Sequence, residues 1–425
     1  RISDESFMDN ANFIDELKLR ASYGEVGNQQ TGTNFAYIPS LRTTEFYTLG
    51  TNQDLVRAPA AYNYANPALS WETSVQIDIG LDVVLFEGAI NATFDYYQKT
   101  TNDLLVAVPV PGTSGFYPNT DANVGSIENN GLEFSVGYNK TVNSDFNFSV
   151  NANLTTVNNQ VIDLAGSEII TGIDLQSHRT AEGFEIGHFY GLQTDGLFQT
   201  QADIDSHATQ TGAAPGDIKF KDLSGPNGVP DGLIDDLDRT YLGSPVPEFF
   251  YGFSLNANYR KFDFSIIGQG TSGNEIFNNA RLTLEDYTNS TESGDNQSIS
   301  VLNRWTGPGS SNEIPRAIVN GGPNANNRMS DRWIEDGSFL RIRNIQLGYS
   351  IPQDAFSSIK ANMIKKGRVY VNAQNMFTFT NYSGLDPEAT RGFTFSRGET
   401  PLISGQDDGR TPTPVTIQMG IQLTL

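Results

Sequence analysis

The most constraining feature of this chain is an apolar–polar alternation that recurs in segments of roughly ten residues. In 146–154, Phe146, Phe148, Val150, Ala152 and Leu154 alternate with Asn147, Ser149, Asn151 and Asn153. At the end of the chain, Val415, Ile417, Met419, Ile421, Leu423 and Leu425 alternate with Thr416, Gln418, Gly420, Gln422 and Thr424. Similar segments lie at 17–24, 74–85, 89–97, 131–139, 251–260, 262–269, 339–350 and 368–374. Successive side chains of a strand point to opposite faces, so each segment predicts a strand with one apolar and one polar face. Segment 339–350 is irregular, because Arg341 and Arg343 share a parity with Ile345 and Leu347.

The connections carry a second pattern. Joins at 86–88, 141–145 and 260–261 are tight, whereas 25–70, 98–125, 157–248, 270–337 and 380–412 are long. Short and long joins alternate, and the intermediate join 351–367 falls where a short one is due. A transmembrane barrel has short periplasmic turns and long outer loops, so it accounts for this order. A half-buried sheet of a secreted protein also alternates, but it has no reason to gather its long loops at one end. Parity gives ten crossing strands, an all-β antiparallel transmembrane barrel wall, and a periplasmic C-terminus. The β-like stretch near 184–197 then belongs inside an outer loop.

Composition excludes other classes. The chain has 425 residues, net charge −22 and no Cys. Disulfide scaffolds and Cys-ligated zinc are ruled out, and a general nucleic-acid surface needs a basic face that this chain lacks. No apolar run reaches the roughly 18 residues of a membrane helix. The chain opens on Arg1 without Met or signal peptide, which reads as a piece whose N-terminal part lies elsewhere.

Particular stretches resemble the C-terminal barrel half of SusC-like TonB-dependent transporters of Bacteroidota. They include LKLRASYGEVGNQ (17–29), NPALSWETSVQIDIGLDVVLFEGAINATFDYYQKTTNDLL (66–105) and NVGSIENNGLEFSVG (123–137). Further ones are GHFYGLQTDGLFQT (187–200), the run from PGDIKFKDLSG to YRKFDFS (215–265), DRWIEDGSFLRIRNIQLGYSIP (331–352) and RVYVNAQNMFTFTNYSGLDPE (368–388). The resemblance implies that 1–425 is the C-terminal portion of one 22-stranded barrel with a plugged lumen. It also implies an outer-membrane location, TonB acting through the upstream region, and a SusD-like surface lipoprotein. The imported nutrient would be an oligosaccharide or oligopeptide, with lipid and lipopolysaccharide around the wall. The family usually ends in an aromatic residue, whereas this chain ends in Leu425.

Candidate sites follow from chemistry. The acidic segment 217–239 lies inside the long join 157–248. It offers Asp222, Ser224, Asn227, Asp231, Asp235, Asp236 and Asp238 as hard oxygen donors among glycines, with no EF-hand spacing. Two readings stand: a structural Ca2+ loop, with Asp222, Ser224, Asn227, Asp231, Asp235 and Asp238 as ligands, or an acidic turn bonded to its own backbone. The polar parity puts Asn147, Asn151, Asn153, Asn256, Asn258, Asn372 and Gln374 in the lumen. Arg341 and Arg343 join them by cost of lipid exposure, to pair with plug carboxylates. Tyr96, Tyr97, Phe249, Phe250, Tyr251, Tyr259 and Phe262 are candidates for an aromatic girdle. Phe35, Tyr37, Phe46, Tyr47, Tyr62, Tyr64, Phe116 and Tyr117 are candidates for recognition in outer loops.

No catalytic signal emerges. Carboxylates such as Asp95, Glu128 and Glu133 lack a glycosidase context, no Ser sits in G-x-S-x-G, and His178, His188 and His207 read as solvated loop residues. Besides import, a SusC-like docking subunit and a secreted calcium-binding β protein are the alternatives.

Overall fold

The computed structural model describes residues 1–28, 37–39, 41–61, 65–108, 113, 120–164, 166, 168–172, 175–286, 296–358, 364–388 and 401–424. Leu425 and the loop aromatics Phe35, Tyr62, Tyr64, Phe116 and Tyr117 lie outside them.

Ten strands form one antiparallel meander in chain order: β1 (Ile14–Asn28), β2 (Glu72–Leu85), β3 (Ile90–Asn102), β4 (Ser126–Asn143), β5 (Phe146–Thr156), β6 (Phe249–Tyr259), β7 (Phe262–Ser272), β8 (Phe339–Ile351), β9 (Lys366–Thr380) and β10 (Thr416–Thr424). They are the ten alternating segments of the sequence. Most extend a few residues further at the long-loop end, where backbone pairing continues beyond the apolar band. β5 breaks at Val157 and resumes as Asn158–Asp163, still paired to β4.

The register aligns the two faces across all ten strands. Leu19, Leu81, Phe94 and Phe134 share one row, and Phe262, Tyr349, Val369 and Ile421 share another. The large residues of this face are open; Met419 is 83% and Ile421 71% exposed. A contiguous apolar surface of that extent has to meet lipid or another protein. No helix among the described residues is long and apolar enough to cross a membrane.

All short connections lie at one end of the sheet. They are 86–89, 144–145, 260–261 and the stretch 352–365 with its short helix Gln353–Ser358. At that end Tyr138, Phe148, Phe146 and Tyr259 make a chain of ring contacts on the apolar face, 5.7–6.3 Å between centroids. Phe262 and Tyr349 follow at 4.9 Å. This is the aromatic girdle, and it includes the expected Tyr259 and Phe262. Tyr97 and Phe250 are corrections. They pair with Gly131 and Thr155 on the polar face, because consecutive residues of a strand cannot share a side.

The opposite end carries a packed body built from long connections. Four short strands, Ile169–Thr171, His178–Thr180, His188–Gly191 and Thr240–Gly243, form a sheet within 157–248. The stretch near 184–197 is thus part of a loop and not a crossing. Glu275–Asn278 pairs with Ile334–Asp336 and, in parallel, with Gln406–Asp407, so the last two long loops share a sheet. One core joins Phe189 to Phe277, Leu282, Met329 and Trp333; a second joins Leu192, Leu197, Ile218, Phe220 and Ile234. Among the described residues most of the deeply buried side chains therefore sit in the long connections.

Candidate functional site

The polar face of the meander is a continuous hydrogen-bonding wall. Asn258 donates to Asn147 Oδ1 at 2.9 Å, Asn151 to Ser254 Oγ at 3.2 Å and Asn256 to Ser149 Oγ at 3.5 Å. Asn153 and Gln374 stand on the same face, opposite Gly252 and Asn344. Asn372 is on it too, but it is buried and donates to Asn344 Oδ1 at 2.6 Å. All seven amides expected in the lumen lie on this one face.

Ion pairs reinforce the wall at both ends. Arg20 of β1 reaches Asp82 and Asp95, each at 2.8 Å, and Lys18 reaches Asp82 at 3.3 Å. Arg368 of β9 reaches Asp263 of β7 at 2.5 Å. The Arg20–Asp95 and Arg368–Asp263 pairs pass over a middle strand, and the residue beneath is Gly80 in one and Gly348 in the other. A Cβ at either glycine would collide with the bridging guanidinium and carboxylate. Two concavities of about 1100 and 610 Å3 open on the polar face and share Asp95 and Glu133.

Arg341 and Arg343 occupy the irregular segment, and the register explains it. Gly268 pairs with Ile342 and Ile267 with Asn344, so Arg343 is an extra residue in β8. This β-bulge shifts the parity and turns Arg341 to the polar face, opposite Gln269. On the next strand Asn375 adopts φ +55° at the same level and accepts from Arg343 at 3.3 Å. Within this chain both arginines already have carboxylate partners. Arg341 binds Asp386 at 2.5 Å, Glu388 through its other terminal nitrogen, and Thr378 Oγ1 at 2.9 Å; Arg343 also binds Glu388. Both carboxylates belong to the chain's own last long loop. Burial works against the Asp386 carboxylate. Arg341 and the backbone N–H groups of Thr413 and Glu388 outweigh that and hold it at about 2. Sequence reading missed Asp386 and Glu388; their only trace was the short run LDPE at 385–388.

The acidic segment turns its carboxylates onto its own amides. Asp238 is buried and accepts from the N–H groups of Leu223, Ser224 and Asp235 at 2.7–3.0 Å. Asp222 accepts from Gly232 at 2.7 Å, Asp231 from Leu233 at 3.0 Å and Asp235 from Leu237 at 2.7 Å. Asp236 and Asn227 are exposed. Among the described residues no three His, Asp or Glu side chains converge as metal ligands. Chelation with EDTA is therefore expected to leave the melting temperature unchanged. A drop of several degrees, restored by Ca2+, would reinstate the calcium loop.

Two of the three histidines correct the sequence reading. His178 and His188 are buried in the loop sheet. His178 bonds Ser177 Oγ at 2.8 Å and the Ser404 carbonyl at 2.9 Å, which ties 157–248 to the last loop. His188 bonds the Glu185 carbonyl at 3.1 Å. Burial pushes both imidazoles from 6.5 down to about 4, against the carbonyls that favour the cation. Both are neutral when folded, and unfolding lets them take protons. Their contribution is complete above pH 6.5 and is lost as pH falls from 6.5 toward 4. For His178 the shift corresponds to roughly 3 kcal/mol. Acid titration followed by the fluorescence of buried Trp333 should show this loss, and His178→Gln should flatten its slope.

The long-loop aromatics Tyr37, Phe46 and Tyr47 are exposed. Asp95 is ion-paired with Arg20, and Glu128 accepts from Gln98 and Asn130.

Alternating faces, lumen-type ion pairs, an aromatic girdle and loops gathered at one end define the wall of a membrane-type β-barrel. Residues 9–376 match the family described as TonB dependent receptor-like, beta-barrel, and the chain belongs to that family. It is 32% identical over 99% of its length to TonB-dependent receptor P3 of Formosa agariphila. It is 27% identical over its whole length to TonB-dependent receptor SusC of Bacteroides thetaiotaomicron. It spans 40% and 39% of those two proteins. The structure superposes on a chain of the RagAB peptide transporter with a TM-score of 0.77 at 24% identity, covering 98% of this chain and 42% of that one. That likeness concerns the fold.

Proposed function

We propose that this chain is the C-terminal wall of a TonB-dependent outer-membrane importer, which takes up an oligosaccharide or oligopeptide with a SusD-like surface lipoprotein. The carrying observation is the ten-strand meander, with lipid-type residues on one face and an amide and ion-pair ladder on the other. In this reading the short turns and the C-terminus are periplasmic, and the packed loop body faces outside with the lipoprotein above it. The wall performs no covalent chemistry. Its amides and ion pairs present a polar, hydrated surface to the plug and the passing solute. Work comes from TonB pulling on the plug through the upstream region. The peptide transporter with the same fold and the SusC relative support nutrient import, with substrate class left to experiment.

The test is uptake of fluorescent oligosaccharide and oligopeptide libraries by cells carrying or lacking the receptor. Receptor-dependent uptake that stops when the proton-motive force is dissipated is the expected result. Equal uptake in both strains, with the receptor co-purifying in an assembly, would favour a docking subunit instead.

A further inference from the structure

Phe250 breaks the pattern of its strand. It is the second residue of β6, at the long-loop end, and the other polar-face positions of that strand are Gly252, Ser254, Asn256 and Asn258. The ring is 43% exposed and makes no ring contact among the described residues. The register sets Phe250 between Thr155 and Thr271, with Glu133 one strand beyond Thr155. Neighbouring strands are about 4.8 Å apart, so ring and carboxylate stand roughly 10 Å from each other along this row. All four residues line the larger concavity of the polar face, about 1100 Å3.

Glu133 is exposed and has neither an ion-pair nor a hydrogen-bond partner among the described residues. Among those residues five carboxylates line the concavity, and no Lys or Arg does. Glu16, Asp82, Asp95 and Glu388 are each held by an arginine, which leaves Glu133 as the free acceptor. A solute in this concavity therefore meets acceptor oxygens and a negative potential. β4, β5, β6 and β7 are each paired on both sides, so the wall offers no open edge to the main chain of a peptide.

We propose that Phe250, Thr155 and Glu133 form a subsite for a neutral oligosaccharide at the long-loop mouth of the lumen. The C–H face of one pyranose ring lies on the phenyl ring, whose π face is negative. Hydroxyls further along the oligosaccharide donate to Thr155 and to the free Glu133 carboxylate, a charge-assisted bond. One aromatic surface with a few convergent polar groups is a common make-up of a small-molecule site. A sulfated or uronate sugar brings its own negative charge to the same carboxylates and is disfavoured. The subsite rests on the importer reading given above and narrows its solute to neutral sugars.

The test is native mass spectrometry of the full receptor with maltohexaose, cellohexaose, xylohexaose and laminarihexaose, their sulfated forms, and a pool of hexapeptides. The expected result is retention of at least one neutral hexasaccharide in preference to its sulfated form and to the peptides. Phe250→Ala should weaken that retention roughly tenfold or more, and Glu133→Gln should narrow the gap between neutral and sulfated forms. Heat-modifiable migration in SDS checks that both variants are folded. Retention of no neutral hexasaccharide, preference for sulfated forms or peptides, or unchanged retention by Phe250→Ala would overturn the subsite. So would entry of vancomycin into cells carrying Phe250→Ala with glycan retention unchanged, which would assign the ring to the plug. None of these outcomes touches the importer reading, which falls only if receptor-dependent uptake is absent in the wild type.

Discussion

Replacing Phe189 with Ala is expected to loosen the entire body of long loops. Phe189 is fully buried and packs with Phe277, Leu282, Met329 and Trp333, which belong to a different long connection. Truncation of a buried Phe costs about 3–5 kcal/mol, in transfer energy and in the cavity left behind. Gly405 of the last loop approaches the same ring, so the cavity would be felt by three connections at once. The strands are held by their own ladder and should not respond. Hydrogen exchange separates these outcomes. Amides of His188–Gly191 and Glu275–Asn278 should exchange roughly a hundredfold faster or more, while those of β5 and β6 keep their protection. Faster exchange confined to His188–Gly191 would show that the loops are not one cooperative unit.

Arg341→Ala is expected to have an effect of similar size through electrostatics. Arg341 and Asp386 are 3% and 2% exposed. Removing the guanidinium leaves the Asp386 carboxylate buried without its cation and deprives Glu388 of one of its two arginines. Breaking a buried pair from one side costs about 3–5 kcal/mol. Arg341→Lys should recover only part of this, since one ammonium cannot reproduce a fork that binds Asp386, Glu388 and Thr378 together. Arg341→Met with Asp386→Leu removes both charges and should be less damaging than Arg341→Ala alone. Proteolysis near 386–388 and the temperature at which the barrel unfolds in SDS report the two ends of this contact. If Arg341→Ala changes neither, the bulge does not anchor the last loop.

These two predictions fall on opposite sides of what was legible in the sequence. All ten strands could be read, because each lies between two different environments and its composition alternates accordingly. The bulge was visible as a conflict: Arg341 shared a parity with Leu347, and only an extra residue resolves it. The same logic should have separated Tyr97 from Tyr96 and Phe250 from Tyr251, since neighbours in a strand face apart. The loop body was not legible. Its decisive contacts join residues remote in the chain, such as Asp217 with Arg316 at 2.6 Å and His178 with the Ser404 carbonyl. Local pattern says nothing about such pairs. It also assigned His178 and His188 to solvent by default, although burial in a loop sheet keeps both neutral.

The acidic segment shows the remaining ambiguity. Asp and Asn among glycines suit a metal loop and a self-bonded turn equally well, and only the direction of each oxygen separates them. Here Asp222, Asp231, Asp235 and Asp238 spend oxygens on backbone N–H groups.

In the proposed importer the short turns and the loop body lie on opposite sides of a membrane, with the strands crossing between them. The chain contains no Cys, so single cysteines can be placed without background from it. Val229→Cys marks an exposed site in the loop body, and Glu87→Cys marks an exposed short turn. The measurement is labelling of each variant by a membrane-impermeant maleimide, in intact cells and after lysis. Position 229 is expected to label in intact cells and position 87 only after lysis. Equal labelling of both positions in intact cells, or of neither until lysis, would contradict this arrangement.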